Sequence, residues 1–140
     1  KDYGRDSGGA VMIESLAKTI YGEARGESIS GKAAVANVIM NRVIKGGWLG
    51  DTVEDVCRKP SQFSCWNRGD LNREKIIAVS ELDPVYVECA TIAALAVEGL
   101  LIDRTGGATH YHTKGIKPGW SMSHEPVYET GNHIFYNNVQ

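Results

Sequence analysis

Two glutamates flank an arginine in the segment Tyr21-Gly22-Glu23-Ala24-Arg25-Gly26-Glu27, where groups suited to acid–base chemistry stand beside two glycines. A carboxyl group on a rigid helix end, screened from water by apolar neighbours, could stay protonated and donate its proton to a leaving oxygen. The four-residue spacing equally suits a solvated helix end at which Glu23 and Glu27 pair with Arg25. Residue types alone leave both interpretations open, with Glu23 as the candidate general acid.

All four histidines fall in the last third of the chain. On a strand, His110 and His112 would project to the same face, a geometry that could hold zinc. A third ligand would come from His124, Glu125 or His133, and metal-activated water would then hydrolyse an amide or peptide bond. The spacing matches no standard zinc motif, and paired histidines on a polar strand are more often hydrogen-bonded structure. We therefore expect no metal and no cofactor, with a zinc amidase or peptidase as the alternative.

Several aromatic residues lie in or beside expected loops and strands, and an aromatic ring can stack on the less polar face of a pyranose. They are Trp48, Trp66, Trp120, Tyr111, Tyr128 and Tyr136. Core filling is the commoner use of any one such residue in a small domain. Trp120, beside Pro118-Gly119, is the one we expect at a cleft. A glycan-binding module without catalytic activity is a further alternative.

The composition is that of an ordinary globular chain of 140 residues, with 42% apolar residues and a net charge of -2. This length predicts a single domain over residues 1–140, with residues 1–9 as a poorly ordered lead-in. Lys and Arg are nowhere concentrated, so we expect no nucleic-acid partner. No apolar run is long enough to span a bilayer and no export signal is present in this chain, so we expect no membrane insertion. We also expect a monomer.

Apolar residues at four- and seven-residue intervals predict a helix from Gly9 that frays over residues 22–26, which puts Glu23 at a helix end. The same pattern predicts a second helix from Ser30 to Lys45. Asp83-Pro84 is typical of a helix start, because Asp caps the first turn and Pro loses no hydrogen bond there, and this helix should end at Gly99.

The segment between these helices predicts a short capped turn and a loop. Thr52 followed by Asp55 indicates a capped turn through Val56, and Pro60 then directs the chain into a loop over residues 62–66 that carries buried aromatics.

The last forty residues favour β-structure. Residues 108–113 are rich in β-formers, and segments 127–130 and 133–136 flank Gly131-Asn132, a two-residue hairpin signal. Helices thus come first and a small antiparallel sheet last. The predicted fold class is α+β, with a cleft where the two parts meet.

Three cysteines, Cys57, Cys65 and Cys89, leave the redox state open. A bridge between Cys57 and Cys65 would staple a short loop in an oxidising compartment, whereas reduced thiols would pack as small apolar groups. No activating base stands near them in sequence, so we do not expect a cysteine nucleophile.

The block from Ala17 to Glu27, followed by Gly31-x-x-Ala34-Val35-Ala36-x-Val38-Ile39-x-Asn41-Arg42-Val43, resembles the cell wall hydrolase family of spore cortex-lytic enzymes and related phage and bacterial wall hydrolases. The resemblance continues through Gln62-Phe63-Ser64 and, more loosely, through residues 107–112 and 131–136. It covers about residues 14–137. It implies a lysozyme-like α+β fold and similarity to lytic transglycosylases, which cleave the glycan strands of peptidoglycan.

By this resemblance Glu23 is the catalytic acid. It would protonate the oxygen between N-acetylmuramic acid and N-acetylglucosamine, and then help the muramyl 6-hydroxyl attack the anomeric carbon to leave a 1,6-anhydro end. An ordinary glycosidase needs two carboxylates at a defined separation, so a single carboxyl fits the intramolecular route better. A hydrolytic muramidase is the alternative, with Glu27 as the candidate second carboxylate.

Peptidoglycan glycan strands are therefore the expected partner, and the bacterial cell wall is the expected place of action, whether from the periplasm, from outside or by phage delivery. We expect the following residues to border the sugar cleft: Glu27, Gln62, Phe63, Ser64, Tyr111, His112 and Trp120. The chain departs from the commoner family pattern at Cys57 and Cys65 and in the triplet His110-Tyr111-His112.

Overall fold

Five α-helices precede a three-stranded antiparallel sheet in the part of the chain that the computed structural model describes, residues 9–59 and 62–139. The elements are α1 (Gly9–Ala24), α2 (Ile29–Lys45), α3 (Val53–Arg58), α4 (Leu71–Ala78), α5 (Pro84–Val97), β1 (His110–Thr113), β2 (Tyr128–Thr130) and β3 (His133–Tyr136). The predicted α+β order, helices first and sheet last, is confirmed. Residues 1–8 of the predicted lead-in and the predicted turn at Pro60 lie outside the described residues.

Helix α1 places Glu23 in its last turn, as the sequence predicted. The helix runs through Gly22, where fraying was expected, and close packing explains the difference. A Cβ at Gly22 would lie 2.7 Å from Cβ of Cys65. The missing side chain lets the 3-10 turn Ser64–Trp66 approach the helix closely, and this packing offsets the poor helix propensity of glycine.

Helix α2 joins the two hydrophobic clusters of the molecule. Ser28 caps its start by accepting a hydrogen bond from the Gly31 N–H. One side of α2 contributes to the main core with α1, α3 and α5. The other side presents Ala34 and Val38 to Phe135 of the sheet. The sheet is therefore held against the helices through α2.

Helix α5 begins after Asp83, whose carboxylate accepts hydrogen bonds from two N–H groups of the first turn, as predicted. It packs against α1 and α2, with Cys89 and Ala93 fully buried. None of the helices over residues 9–59 and 62–139 is long and apolar enough to cross a bilayer.

Helix α4 was missed by sequence reasoning. Asp70 caps it by accepting from the Asn72 N–H, and Ile76 is its one buried residue among the eight described. Leu71 and Ile77 are exposed, so the helix carries no apolar stripe from which it could be predicted.

The sheet has the strand order β1-β3-β2. Phe135 pairs with Tyr111 of β1 and with Tyr128 of β2, and these three residues share the face that packs on α2. Because side chains alternate along a strand, His110 and His112 point to the opposite face. The predicted hairpin at Gly131-Asn132 is confirmed.

All three cysteines are free and buried, so of the two states that the sequence left open the structure has the reduced one, without a bridge between Cys57 and Cys65. Burial raises the pKa of the Cys57 and Cys89 thiols to about 12. Both thiols therefore stay protonated at neutral pH and are poor nucleophiles.

Candidate active site

Glu23 lies half-buried where the end of α1 meets the sheet. The Tyr111 hydroxyl donates a hydrogen bond of 2.6 Å to Oε1 of Glu23, across 88 positions of sequence. Burial, together with the charge of Glu23, holds the pKa of Tyr111 well above its ordinary value, so this hydroxyl keeps the proton it donates.

The Cys65 thiol lies beside the Glu23 carboxyl group. Burial and then the charge of Glu23 raise the pKa of this thiol, so it stays protonated at neutral pH. The hydrogen bond that fixes the Glu23 carboxyl group comes from the sheet, through Tyr111. The Tyr111 hydroxyl is positioned to stabilise a carboxylate at Glu23.

The Tyr111 ring packs against two aromatic side chains of β3. Its centroid lies 4.9 Å from the ring of His133 and 5.5 Å from the ring of Phe135. His133 is buried, and its Nδ1 has no hydrogen-bond partner among the described residues. Burial lowers its pKa, although the charges of Glu27 and Glu23 oppose this shift. His133 is thus a neutral side chain that packs against the Tyr111 ring. The sequence did not predict this role, because His133 stood out there only as a candidate zinc ligand.

The Glu27 carboxylate binds the hairpin turn. Its Oε1 accepts from the Asn132 N–H at 3.0 Å, and its Oε2 accepts from Asn132 Nδ2 at 3.4 Å. Both oxygens are therefore engaged with the polypeptide, four residues beyond Glu23.

Arg42 contacts both Gln62 and Phe63. Its Nε donates to the Thr109 carbonyl at 2.6 Å, and its Nη1 donates to Gln62 Oε1 at 3.3 Å. Its guanidinium lies 5.1 Å from the centroid of the Phe63 ring. Phe63 is only 2% exposed, so it supports the wall of the site and has no free face for a sugar ring. Ser64 is exposed at the start of the 64–66 turn.

His112 and Trp120 do not join Glu23. His112 Nε2 and the Tyr136 hydroxyl lie 2.9 Å apart, and the Trp120 ring packs at 5.1 Å from the Tyr136 ring. The alternation along β1 puts this cluster on the face opposite to Tyr111. Half-buried Trp120 therefore covers the far side of the sheet.

The predicted zinc ligands are not gathered into a ligand set. His110 and His112 share a face, as predicted, but within the described ranges no three His, Cys, Asp or Glu side chains are placed to hold a metal ion. Nδ1 of His124 instead lies 2.7 Å from the Trp120 carbonyl. Burial lowers the pKa of His110 to about 4, which keeps this side chain neutral.

Tyr111→Phe is expected to lower the rate of catalysis about 10- to 100-fold, because the Glu23 carboxylate loses a charge-assisted hydrogen bond while the ring stays packed. Initial rates on purified peptidoglycan, the substrate expected from the sequence, measure this. Tyr136→Phe is the matched control, since it removes a hydroxyl from the opposite face of the sheet. Equal rates for the two variants would show that the Tyr111 hydroxyl does not act on Glu23.

Comparison with known proteins decides the family. The profile of the Cell Wall Hydrolase family matches residues 26–136. This chain belongs to that family. The matched range begins after Glu23, so the role of this carboxyl group rests on the geometry described above.

Curated relatives of the chain are named spore cortex-lytic enzymes. The one from Halalkalibacterium halodurans is 34% identical over 127 residues, which cover 89% of this chain and 34% of the relative. The one from Oceanobacillus iheyensis is 32% identical and covers 88% of this chain and 40% of the relative. The chain thus spans well under half the length of these relatives.

Solved structures match nearly the whole chain. The catalytic domain of the SleB protein of Bacillus cereus has a TM-score of 0.72 and 28% identity, over 90% of this chain and 89% of that one. The catalytic domain of the germination-specific lytic transglycosylase SleB from Bacillus anthracis has a TM-score of 0.71 and 28% identity, over 90% and 93%. The family member described here therefore has the fold of SleB catalytic domains.

Proposed function

We propose that this chain is a catalytic domain that cleaves the bond between N-acetylmuramic acid and N-acetylglucosamine in peptidoglycan, as a lytic transglycosylase. The observation that carries the proposal is a single carboxyl group, Glu23, held by the Tyr111 hydroxyl at 2.6 Å. The neighbouring carboxylate, Glu27, is engaged by Asn132 of the hairpin turn. Similarity to a structure named as a lytic transglycosylase supports the same reaction class.

The reaction begins with protonated Glu23. Its proton passes to the glycosidic oxygen while the bond from that oxygen to the anomeric carbon breaks, and the bonding pair leaves with the oxygen. Positive charge develops on the muramyl ring, and the new Glu23 carboxylate accepts a hydrogen bond from Tyr111.

The second step closes the muramyl ring on itself. The 6-hydroxyl oxygen forms a bond to the anomeric carbon, and its proton passes to the Glu23 carboxylate. The product is a 1,6-anhydro end, and Glu23 is protonated again for the next cycle. No water enters, so a second carboxylate that would activate water is not required.

A specific observation disfavours each of the three alternatives. A muramidase of ordinary type needs a second carboxylate free to act on water or on the sugar, whereas both oxygens of Glu27 are bonded to Asn132. A zinc amidase needs three clustered ligands, and the described residues offer no such group. A glycan-binding module does not require a partly buried hydrogen bond to a carboxyl group such as the one that Tyr111 donates to Glu23.

The partner in this proposal is the glycan strand of peptidoglycan, and the place of action is the bacterial cell wall. Gln62, beside Arg42, and exposed Ser64 lie on the side of the site that the 64–66 turn forms, and we propose that they contact the sugars. The domain would act as a monomer, without nucleic acid and without membrane insertion.

Mass spectrometry of the fragments released from purified peptidoglycan tests the proposal. Anhydromuropeptides are expected, and a chelator should leave their release unchanged. Reducing-end muropeptides would instead establish a muramidase. Freed peptides with intact glycan, together with chelator sensitivity, would establish the histidine-based alternative.

A further inference from the structure

The Glu27 side chain lies between two glycines that are distant from each other in sequence. A Cβ at Gly31, in the first turn of α2, would lie 2.7 Å from Cβ of Glu27. A Cβ at Gly131, in the hairpin turn, would fall well inside van der Waals contact with Oε1 of Glu27. Gly131 also has φ of +53°, which disfavours any other residue there. The start of α2 and the hairpin can therefore approach Glu27 closely only because neither glycine carries a side chain.

The hydrogen bonds of Glu27 fix the hairpin in this position. Asn132 donates to it through both its backbone N–H and its side-chain amide, across 105 positions of sequence. On the other side, the Glu27 carbonyl accepts from Nζ of Lys32, which also forms an ion pair of 2.9 Å with Glu88 of α5. Glu27 thus links the helical part of the molecule to the tip of the sheet.

Direct contacts connect the hairpin tip to Glu23, the proposed catalytic acid. The Asn132 carbonyl accepts from the Lys114 N–H, which ties the tip to the end of β1. His133, the next residue, packs its ring against Tyr111, and the Tyr111 hydroxyl donates to Glu23. A continuous series of direct contacts therefore runs from the Glu27 carboxylate to the Glu23 carboxyl group.

We propose that Glu27 is a positioning residue, which sets the hairpin tip so that His133 and Tyr111 hold Glu23 in its catalytic geometry. Glu27 then contributes neither a proton nor a bond to the reaction. This inference rests on the proposed function, because it takes Glu23 as the acid. It gives a physical reason for two carboxylates in one motif of an enzyme that uses one.

Two substitutions at Glu27 separate positioning from catalysis. Glu27→Ala removes both acceptors, so kcat on soluble glycan strands should fall about 10- to 30-fold with KM within about 3-fold. Glu27→Gln keeps one acceptor for the Asn132 N–H, and the Asn132 amide can turn to meet the new amide, so kcat should stay within about 5-fold of wild type. Equal and severe loss in both variants would identify a catalytic carboxylate, and a rise in KM alone would identify a substrate contact. Either result overturns the proposal.

If Glu27→Ala is too unstable for kinetics, a double-mutant cycle that measures melting temperatures tests the proposal instead. Gly131→Ala should lower the melting temperature strongly in wild type and much less in Glu27→Ala, because the methyl group then has no carboxylate to meet. Gly107→Ala is the matched control, with φ of +82° and nothing within 4 Å of the added carbon. Equal effects of Gly131→Ala in both backgrounds would show that Glu27 does not hold the hairpin.

The rate of each variant is measured from the same kind of fragment that the wild type releases, whether anhydro or reducing-end. Reducing-end products would therefore overturn the transglycosylase route, while the ratio of Glu27→Ala to Glu27→Gln rates would still decide the role of Glu27.

Discussion

Glu23→Gln is expected to reduce the rate of glycan cleavage by about 10³-fold, within the range for loss of a general acid. The amide has the shape of the protonated acid and can still accept the hydrogen bond of the Tyr111 hydroxyl, but it has no proton acidic enough to give to a leaving oxygen. The fold should therefore persist. Initial rates on purified peptidoglycan, with circular dichroism to confirm folding, measure the effect.

Glu14→Gln is the matched control for this change. Glu14 is on the same helix, is exposed, and pairs with Lys18 at 3.9 Å. An exposed pair of this kind contributes little, so the control should keep its activity. If Glu23→Gln retained a tenth or more of the wild-type rate, Glu23 would not be the acid.

Gly22→Ala is expected to destabilise the protein by about 1–3 kcal/mol, the cost of overpacking a close contact. The new methyl group would lie 2.7 Å from Cβ and 2.8 Å from Sγ of Cys65, and 3.1 Å from Cγ2 of Ile76. The 64–66 turn must move to relieve this contact. Because Cys65 lies beside Glu23, movement of this turn would disturb the site, and activity should fall together with stability.

Gly26→Ala is the control for this second prediction. It lies four residues on, and an added Cβ would meet nothing within 4 Å. Its free energy of unfolding should remain within about 0.5 kcal/mol of wild type. Urea unfolding of both variants measures the difference, and equal midpoints would contradict the close packing of Gly22 on Cys65.

The local parts of this fold could be predicted from the sequence. Asp83-Pro84 has the capping residues typical of a helix start, and Gly131-Asn132 has the residues that a hairpin turn prefers. Both elements could be predicted because each depends on residues adjacent in sequence. The position of Glu23 in the last turn of α1 follows from the apolar spacing and the glycines near it. Helix α4 was missed because a short helix with one buried residue has no periodic signal.

The assembly of the site depends on contacts that no local pattern contains. Tyr111 and Glu23 are 88 positions apart, and Glu27 and Asn132 are 105 apart, so their pairing follows from how the sheet packs on α2. One distinction was available from the sequence. Adjacent residues of a strand face opposite sides, so Tyr111 and His112 could not both face Glu23.

The most direct test of the central claim is digestion of purified peptidoglycan in water enriched in ¹⁸O, followed by mass spectrometry of the new glycan ends. If the muramyl 6-hydroxyl is the nucleophile, the ends released by the wild type are 1,6-anhydro and carry no ¹⁸O, and Glu23→Gln releases almost none. Reducing ends that carry one ¹⁸O would show that water attacks the anomeric carbon, and would contradict the single-carboxyl, water-free reaction proposed for Glu23.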